Sequence, residues 1–193
     1  MPSDQEISAT SALDMISGEL ATVASAISAT QGEALDRTVH ELQQARRVFT
    51  FGAGRSGIAL NMTAMRLMHL GLSVHVVGET TAPAIEAGDV LLVASGSGTT
   101  EGIVSAVRTA ADVGASTVAL TTDASSIIAE LAQVTIVVPA AKKLDRDSAA
   151  SAQYAGSLFE QSVAIVGDAL FHTLWKASGQ TADDMWPRHS NLE

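Results

Sequence analysis

Five short apolar runs constrain the fold of this chain more than any other feature. Each is rich in β-branched residues and is bounded by glycine, serine or proline. The runs are RVFTFG (47–52), SVHVVG (73–78), VLLVAS (90–95), STVALTT (116–122) and VTIVVP (134–139). Strands that are apolar along their whole length are buried on both faces, as in a parallel sheet covered by helices. The pattern therefore predicts an α/β fold, a three-layer doubly wound sandwich around a five-stranded parallel sheet.

Helix-length segments separate most of these runs and supply the crossovers that parallel strands require. The connection between the second and third runs is the exception, because it shows no clear helical pattern. A long helix is expected near the end of the chain, followed by a short helix that Thr181 caps. The expected helical segments are 55–70, 99–113, 125–132 and about 155–177.

The N-terminal region has the pattern of two helices. Apolar residues spaced three and four apart predict a long first helix within residues 1–29, which packs on its own domain or on another subunit. The sequence TQGE (30–33) has capping-box spacing and predicts the start of a second helix. The apolar positions are Leu13, Ile16, Leu20, Val23 and Ile27 in the first helix and Leu35, Val39 and Leu42 in the second.

Composition excludes several classes of protein. The 193 residues suit a single domain, residues 1–193, and the absence of cysteine excludes disulfides and thiolate sites. No apolar run has the length of a membrane span. The net charge of −10, without a long basic stripe, argues against nucleic-acid binding. Because the N-terminus is acidic and polar rather than signal-like, we expect a cytoplasmic protein.

Two loops rich in glycine and hydroxyl groups follow the first and third runs: FGAGRSG (51–57) and ASGSGTTEG (94–102). In parallel sheets, ligands bind at the carboxyl ends of strands, beside helix N-termini that favour anions. Gly96 and Gly98 let the backbone approach a ligand, and Arg55 supplies a fixed positive charge. The loops therefore predict a phosphate site. Its hydroxyl donors would be Ser56, Ser95, Ser97, Thr99 and Thr100.

Two other interpretations of these loops stay open. Serine, threonine and glycine are also preferred in ordinary turns and helix N-caps. Gly52, Gly54 and Gly57 have the spacing of a dinucleotide-binding loop, for which Glu79 would be the acidic partner. A dinucleotide leaves the second loop without a role, whereas a phosphorylated small molecule accounts for both loops.

Glu160 is a carboxylate on the apolar stripe of the last long helix. An unpaired carboxylate there is costly, so Glu160 is either a paired structural residue or a partly buried general base. His189 lies in a tail whose apolar residues give it something to bury, and it is a weaker candidate. His69 and His75 are expected to be structural, and no pair of histidines has metal-ligand spacing.

Several segments together resemble the 6-phospho-3-hexuloisomerase family of the sugar isomerase (SIS) superfamily. The likeness runs from about residue 30 to the last residue. The block MRLMHLG…VVGETT and the ending are its most specific parts. The segments are GAGRSG, AMRLMHLGLSVHVVGETTAPAIEAGD, SGSGTTEG, QYAGSLFEQ and RHSNLE.

This resemblance implies a five-stranded parallel SIS fold in a homotetramer built as a dimer of dimers. It implies isomerisation of D-arabino-hex-3-ulose 6-phosphate to D-fructose 6-phosphate through a cis-enediol, with no metal or organic cofactor. In the ribulose monophosphate pathway of formaldehyde assimilation, hexulose-6-phosphate synthase acts one step earlier and is the expected functional partner.

The resemblance also implies roles for individual residues. Glu160 matches the catalytic base, and Arg55 matches a characteristic loop arginine. His189 matches a histidine of the C-terminal tail (178–193) that reaches the site, from a neighbouring subunit. Thr99 replaces the glutamate of many S-x-S-G-E-T loops. The hydroxyls that match the phosphate loops are Ser56, Ser95, Ser97 and Thr100.

Two alternative functions remain at this stage. Another SIS enzyme would interconvert an aldose phosphate and a ketose phosphate, with a substrate such as arabinose 5-phosphate or sedoheptulose 7-phosphate. A non-catalytic SIS domain would sense phosphosugars, as in regulators with a DNA-binding domain. The negative charge and the lack of a helix-turn-helix pattern disfavour the sensor, and a sensor has no need of Glu160 on an apolar face.

Overall fold

The computed structural model describes residues 8–140 and 151–192. Five parallel strands form one sheet, as the apolar runs predict, and their order is β2-β1-β3-β4-β5. β3, in the middle of the sheet, is buried along its whole length, which explains its unbroken apolar sequence. The strands are β1 (Val48–Gly52), β2 (Val74–Val76), β3 (Val90–Ala94), β4 (Ser116–Thr121) and β5 (Val134–Val137).

Helices cover both faces of this sheet. The connection from β2 to β3 contains no helix, as predicted, and a short 3₁₀ turn (Trp186–Arg188) follows the last helix. In the described ranges, no helix has both the length and the apolar character needed to cross a membrane. The helices are α1 (Ala9–Thr30), α2 (Gly32–Gln44), α3 (Gly54–Leu70), α4 (Glu101–Asp112), α5 (Ile127–Leu131), α6 (Ser157–Ser178) and α7 (Ala182–Met185).

The core has two parts, one on each face of the sheet. One part joins the sheet to α1, α2, α3 and α6, and the other joins it to α4 and α5. Helices α3 and α6 pack closely where Gly167 faces Thr63, since a Cβ on Gly167 would lie only 2.0 Å from the Thr63 hydroxyl. This contact fixes α6, which carries Glu160, against α3, which carries Arg55.

The N-terminal helices differ in one respect from the prediction. Thr30 does not start a capping box, because it is the last residue of α1 and its hydroxyl donates to the Ala26 carbonyl. Gln31 is the residue before α2, and its side chain makes no capping hydrogen bond. The two helices are nearly continuous, because only Gln31 separates them. Thr30 therefore does not precede a free helix N-terminus that its side chain could cap. The cap predicted at Thr181 is confirmed, with Asp184 completing the capping box.

A buried ion cluster fixes the end of the sheet opposite the glycine loops. Asp89 is fully buried just before β3 and pairs with Arg46 and Arg47, which precede β1. Burial alone would raise the pKa of Asp89, but the hydrogen bond and charge of Arg47 hold it below its usual value. The cluster links the residues before β1 to the residue before β3, next to the Val48–Val90 pair of the two strands.

Candidate active site

A polar cavity of about 180 Å³ opens at the carboxyl ends of β1 and β3. Its walls come from three places that are distant in sequence: the start of α3, the loop after β3 and the start of α6. This is the topological switch point of the sheet, where neighbouring helices leave in opposite directions. The predicted residues that line it are Arg55, Ser56, Ser95, Gly96, Ser97, Thr100 and Glu160.

The first loop owes its glycines to a close backbone contact. A Cβ on Gly57 would lie 2.4 Å from the carbonyl oxygen of Gly52, and a Cβ on Gly52 would lie 2.8 Å from the Gly57 nitrogen. Gly54 adopts φ +57, which side-chain-bearing residues rarely adopt. The glycine spacing thus has a local explanation, a sharp turn from β1 into α3 that brings Arg55 and Ser56 to the cavity.

The second loop is closed by hydroxyl groups. The hydroxyls of Ser95 and Thr100 are 3.0 Å apart and hydrogen bonded across the base of the loop. Gly98, at φ +63, cannot be replaced without strain, because a Cβ there would lie 2.1 Å from the Ser126 hydroxyl. Gly98 therefore allows the loop to pack against Ser126, and it does not line the cavity. Thr99 is exposed and donates to Ser97, so it also lies outside the cavity wall.

The carbonyl of Gly96 is fixed by three donors from the end of β4. These are the Thr121 hydroxyl at 3.2 Å, the Thr122 hydroxyl at 2.8 Å and the Thr122 amide at 3.1 Å. Because this carbonyl is held within the protein, the shape of the loop is set before any ligand binds. These threonines were not among the predicted site residues, although Thr121 ends β4 and Thr122 follows it, as hydroxyl-rich loops follow β1 and β3.

Three helices begin at this cavity, and none of their N-cap residues makes a side-chain capping hydrogen bond within the described chain. Ala53 and Gly156 lack a hydroxyl, and the Thr100 hydroxyl is engaged with Ser95 instead. Of the other helices, α1 and α7 have capping boxes at Ser8 and Thr181, whereas α2 and α5 also lack a side-chain cap. Helix N-termini attract anions through their dipoles and first-turn amides. Their convergence suits the cavity for a phosphate group.

Glu160 and Arg55 form an ion pair inside the cavity. The Arg55 Nε lies 2.5 Å from the Glu160 Oε2, and the arginine side chain is 64% exposed whereas the glutamate side chain is 20% exposed. Phe159 packs against Gly96, where an added Cβ would lie 3.4 Å from its ring. The carboxylate of Glu160 is therefore held near both glycine loops, at a position where it can remove a proton from a ligand.

A family model described as the SIS domain matches residues 41–164. The chain belongs to the SIS-domain family. It is 50% identical over 184 residues to a 3-hexulose-6-phosphate isomerase from Mycobacterium gastri, covering 95% of this chain and 91% of that protein. It is 35% identical over 162 residues to a 3-hexulose-6-phosphate isomerase from Bacillus subtilis, covering 83% and 88% of the two chains.

A solved structure agrees with these relatives. It is a hypothetical protein from Methanococcus jannaschii for which 3-hexulose-6-phosphate isomerase was inferred as the molecular function. It aligns with a TM-score of 0.80 and 30% identity, covering 95% of this chain and 99% of that one. The five-stranded SIS fold predicted from the resemblance is confirmed.

His189 lies away from the cavity of its own SIS domain. Its ring stacks on His69, with the ring centroids 3.9 Å apart, and the Trp186 ring lies 4.8 Å away. Arg188 fastens this tail by donating to the His69 carbonyl at 3.0 Å. His69 and Arg55 are 14 residues apart on α3, about 21 Å along the helix axis. A single chain does not bring His189 to Glu160.

His69 is buried, as expected for a structural histidine. Burial lowers its pKa, and the nearby charges of His189 and Arg66 lower it further. Its neutral ring packs against the His189 ring without a hydrogen-bond partner for Nδ1 in the described structure. The tail is therefore fastened by contacts that favour an uncharged His69.

Two other cavities of this SIS domain, of about 190 and 390 Å³, have mostly apolar walls. The smaller lies between α1 and α6, and the larger lies between α4 and the segment that joins β2 to β3. Glu79 lines the larger one rather than the cavity at the glycine loops. Neither cavity gathers convergent donors for an anion. A third cavity, of about 290 Å³, is polar but lies where the start of α2 meets β5, and no residue of the two glycine loops lines it. The cavity that holds both glycine loops and Glu160 is therefore the candidate active site.

Proposed function

We propose that this chain is a 3-hexulose-6-phosphate isomerase that converts D-arabino-hex-3-ulose 6-phosphate to D-fructose 6-phosphate. One observation carries the proposal: the fold brings the Glu160 carboxylate into the same cavity as two glycine-hydroxyl loops from adjacent strands. The loops suit a phosphate, and the carboxylate suits proton transfer at a carbon beside a carbonyl. The 50% identity to the mycobacterial enzyme supports the choice of substrate.

In this proposal, the phosphate binds between the start of α4 and the start of α3. Ser56, Ser97 and Thr100 donate hydrogen bonds to its oxygens, together with amides of the loop that contains Gly96 and of the uncapped helix ends. Ser95, which is buried, acts mainly by holding the Thr100 hydroxyl. Binding energy from the phosphate, which does not react, fixes the open-chain sugar relative to Glu160.

The proposed chemistry consists of proton transfers alone. Glu160 removes the proton from C2 of the hex-3-ulose, the electron pair forms the C2–C3 double bond, and the C3 carbonyl oxygen takes up a proton, which gives a cis-enediol. The same carboxyl then returns a proton to C3, while O2 becomes the new carbonyl oxygen and releases its hydroxyl proton, which balances the proton taken up by O3. Base catalysis of this kind contributes about 10²–10⁴-fold. No electron leaves the sugar, so the proposal includes no redox cofactor, and the family resemblance implies a reaction without a metal.

Arg55 has two roles in the proposal. Without substrate it pairs with Glu160, and its large exposure leaves the guanidinium free to move. An arriving phosphate competes for the guanidinium, because arginine binds phosphate oxygens in the same forked geometry as carboxylate oxygens. Transfer of Arg55 to the phosphate would release the Glu160 carboxylate when a substrate is present to react.

We also propose that His189 acts in the site of a neighbouring subunit of a homotetramer, where it helps to move protons between the sugar oxygens. An apolar stripe supports this arrangement, because Ile58, Met62 and Met65 lie exposed along α3 between the cavity and the His69 end. Exposed apolar patches of this kind mark interaction surfaces. Residues 1–193 would then act as one SIS domain, with α1 (within 1–29) and the tail (178–193) contacting other subunits.

The proposal places the protein in the cytoplasm, in the ribulose monophosphate pathway of formaldehyde assimilation. Its functional partner there would be hexulose-6-phosphate synthase, which makes the 3-ketose phosphate. The partner supplies substrate, and the proposal requires no stable complex with it.

The test is to equilibrate the purified protein with D-fructose 6-phosphate in deuterium oxide and to follow the sugar by NMR. We expect the 3-ketose phosphate to accumulate, with deuterium at C3 of the fructose phosphate and at C2 of the product. Deuterium at C1 with an aldose product would instead indicate an aldose–ketose isomerase. Binding without any exchange would indicate a phosphosugar sensor, and either result would overturn the proposal.

A further inference from the structure

We infer that Glu19, in the N-terminal helix α1, is a positioning residue for the Glu160 carboxylate, an inference that rests on the proposed function. Glu19 lies outside the cavity and touches none of its walls among the described residues. It was not singled out by sequence, because nothing in the pattern of α1 connects it with residues more than 130 positions later.

The carboxylate of Glu19 accepts three hydrogen bonds from one short segment. The Ser151 hydroxyl donates to it at 2.7 Å, the Ala152 amide at 2.7 Å and the Gln153 side-chain amide at 2.9 Å. Ser151 is buried and Glu19 is half-buried, so the hydrogen bonds from Ser151 and Gln153 are partly shielded from solvent, whereas the bond from the Ala152 amide is exposed. Hydrogen bonds to a charged acceptor are about twice as strong as those between neutral groups. Glu19 therefore fixes residues 151–153 against α1.

The fixed segment leads directly into the first turn of α6, which carries Glu160 and lines the cavity. Only Tyr154 and Ala155 separate Gln153 from Gly156, the N-cap residue of α6. The Ser157 amide donates to the Tyr154 carbonyl at 3.2 Å, and the Glu160 amide donates to the Gly156 carbonyl at 3.0 Å. A Cβ on Gly156 would lie 3.8 Å from Glu160 Oε1. A shift of this turn would therefore move the backbone beside the reacting carboxylate.

The turn needs support from outside because its own conformation is unfavourable. Ala155 has φ +49, in the left-handed region that residues with a Cβ rarely occupy. The N-cap residue of α6 provides no side-chain capping bond that would hold the first turn. Glu19 supplies the missing restraint two residues before Ala155. Burial alone would raise the pKa of Glu19, but the bonds from Ala152, Gln153 and Ser151 hold it below its usual value, so the carboxylate is charged at neutral pH.

The inference is tested with Glu19→Ala, with Glu19→Gln as the milder change, and with Asp14→Asn as the matched control. Asp14 is an exposed carboxylate on the same helix, so its variant removes the same charge. We expect Glu19→Ala to lower kcat by about 10- to 100-fold, since small misplacement of a catalytic group has effects of this size. KM for fructose 6-phosphate should change less than about twofold, because the phosphate loops belong to α3 and α4.

Glu19→Gln keeps one acceptor oxygen, so its kcat should fall less than that of Glu19→Ala. It also provides a folded variant if Glu19→Ala fails to fold. Hydrogen–deuterium exchange of the amides in 154–160 gives a second measurement that needs no activity. We expect faster exchange there in both Glu19 variants than in wild type, with Asp14→Asn unchanged.

A purely structural role for Glu19 would lower Tm and the yield of folded protein but leave kcat per folded chain equal to that of Asp14→Asn. That result, or unchanged amide exchange in 154–160, would overturn the inference. If wild-type protein itself exchanges no sugar proton, the proposed function fails instead. In that case the amide exchange still decides whether Glu19 holds the turn.

Discussion

The two ends of α3 have opposite character. At its N-terminal end, Arg55 and Ser56 line the polar cavity, and the helix has no side-chain capping hydrogen bond. At its C-terminal end, Gly71 terminates the helix and Arg188 covers it, donating to the His69 carbonyl. Each end follows the helix dipole, which favours an anion at the start and a cation at the finish. Glu160 on α6 and His189 in the C-terminal tail, both predicted to be catalytic, therefore lie beside opposite ends of α3.

The largest effect on turnover is expected at the cavity beside the N-terminal end of α3. Glu160→Gln removes the proposed base and should lower turnover by about 10²–10⁴-fold, the usual contribution of general base catalysis. Calorimetric titration with fructose 6-phosphate should show nearly unchanged affinity, since the phosphate loops keep their shape. Asp168→Asn, which changes an exposed carboxylate on the same helix, is the control. Retained turnover in Glu160→Gln would remove Glu160 from the mechanism.

A second, smaller effect is expected if His189 of one subunit contributes to the site that contains Glu160 of another. Glu160→Gln and His189→Ala are each expected to be impaired, and they are mixed and refolded together so that subunits recombine. If His189 serves the neighbouring site, each mixed pair in a twofold dimer contains one intact site. Activity should then recover to about a quarter of the wild-type level. No recovery above the two separate variants would mean that His189 and Glu160 never share a site.

The smallest effect is expected at the C-terminal end of α3, where His69 should make the thermal stability depend on pH. Because the pKa of His69 is lowered, the folded chain binds fewer protons than the unfolded chain once the pH falls below about 6.5. Stability from this residue is therefore present above that pH and is lost as the pH falls towards the lowered pKa. His69→Phe keeps a stacking ring without a titrating group, so its Tm should depend less on pH in this range.

His40→Gln changes an exposed histidine and serves as the control for that titration. Its Tm should fall with pH as steeply as that of the wild type. If His69→Phe also follows the wild-type curve, the titration of His69 does not govern how the tail is held.

The fold followed from sequence where the determinants are local. A run such as VLLVAS is buried on both faces wherever it sits in a parallel sheet, so each strand could be placed within about two residues. The position of the first glycine loop after β1 was also predicted, but the close backbone contact between Gly52 and Gly57 was not.

The determinants that could not be predicted join residues far apart in sequence. Thr122 holds Gly96 from the end of another strand, and Glu19 holds Ser151 from another helix. Nothing in the pattern around either residue indicates its partner, since hydroxyls and carboxylates are equally common on solvated surfaces. The capping box expected at Thr30 was wrong for a related reason. Its spacing is a local signal, but the near-continuous path from α1 to α2 removed the free helix end.

The carbonyl of Gly96 has a consequence for protein engineering. Because its three donors come from Thr121 and Thr122, the information that shapes the second glycine loop is stored partly in the next strand. A graft of the loop sequence SGSGTT alone into another parallel-sheet scaffold would carry the hydroxyls but not the conformation that aims them. A transferable anion-binding module would have to include the end of β4 as well, so the smallest portable unit is a pair of neighbouring strand ends.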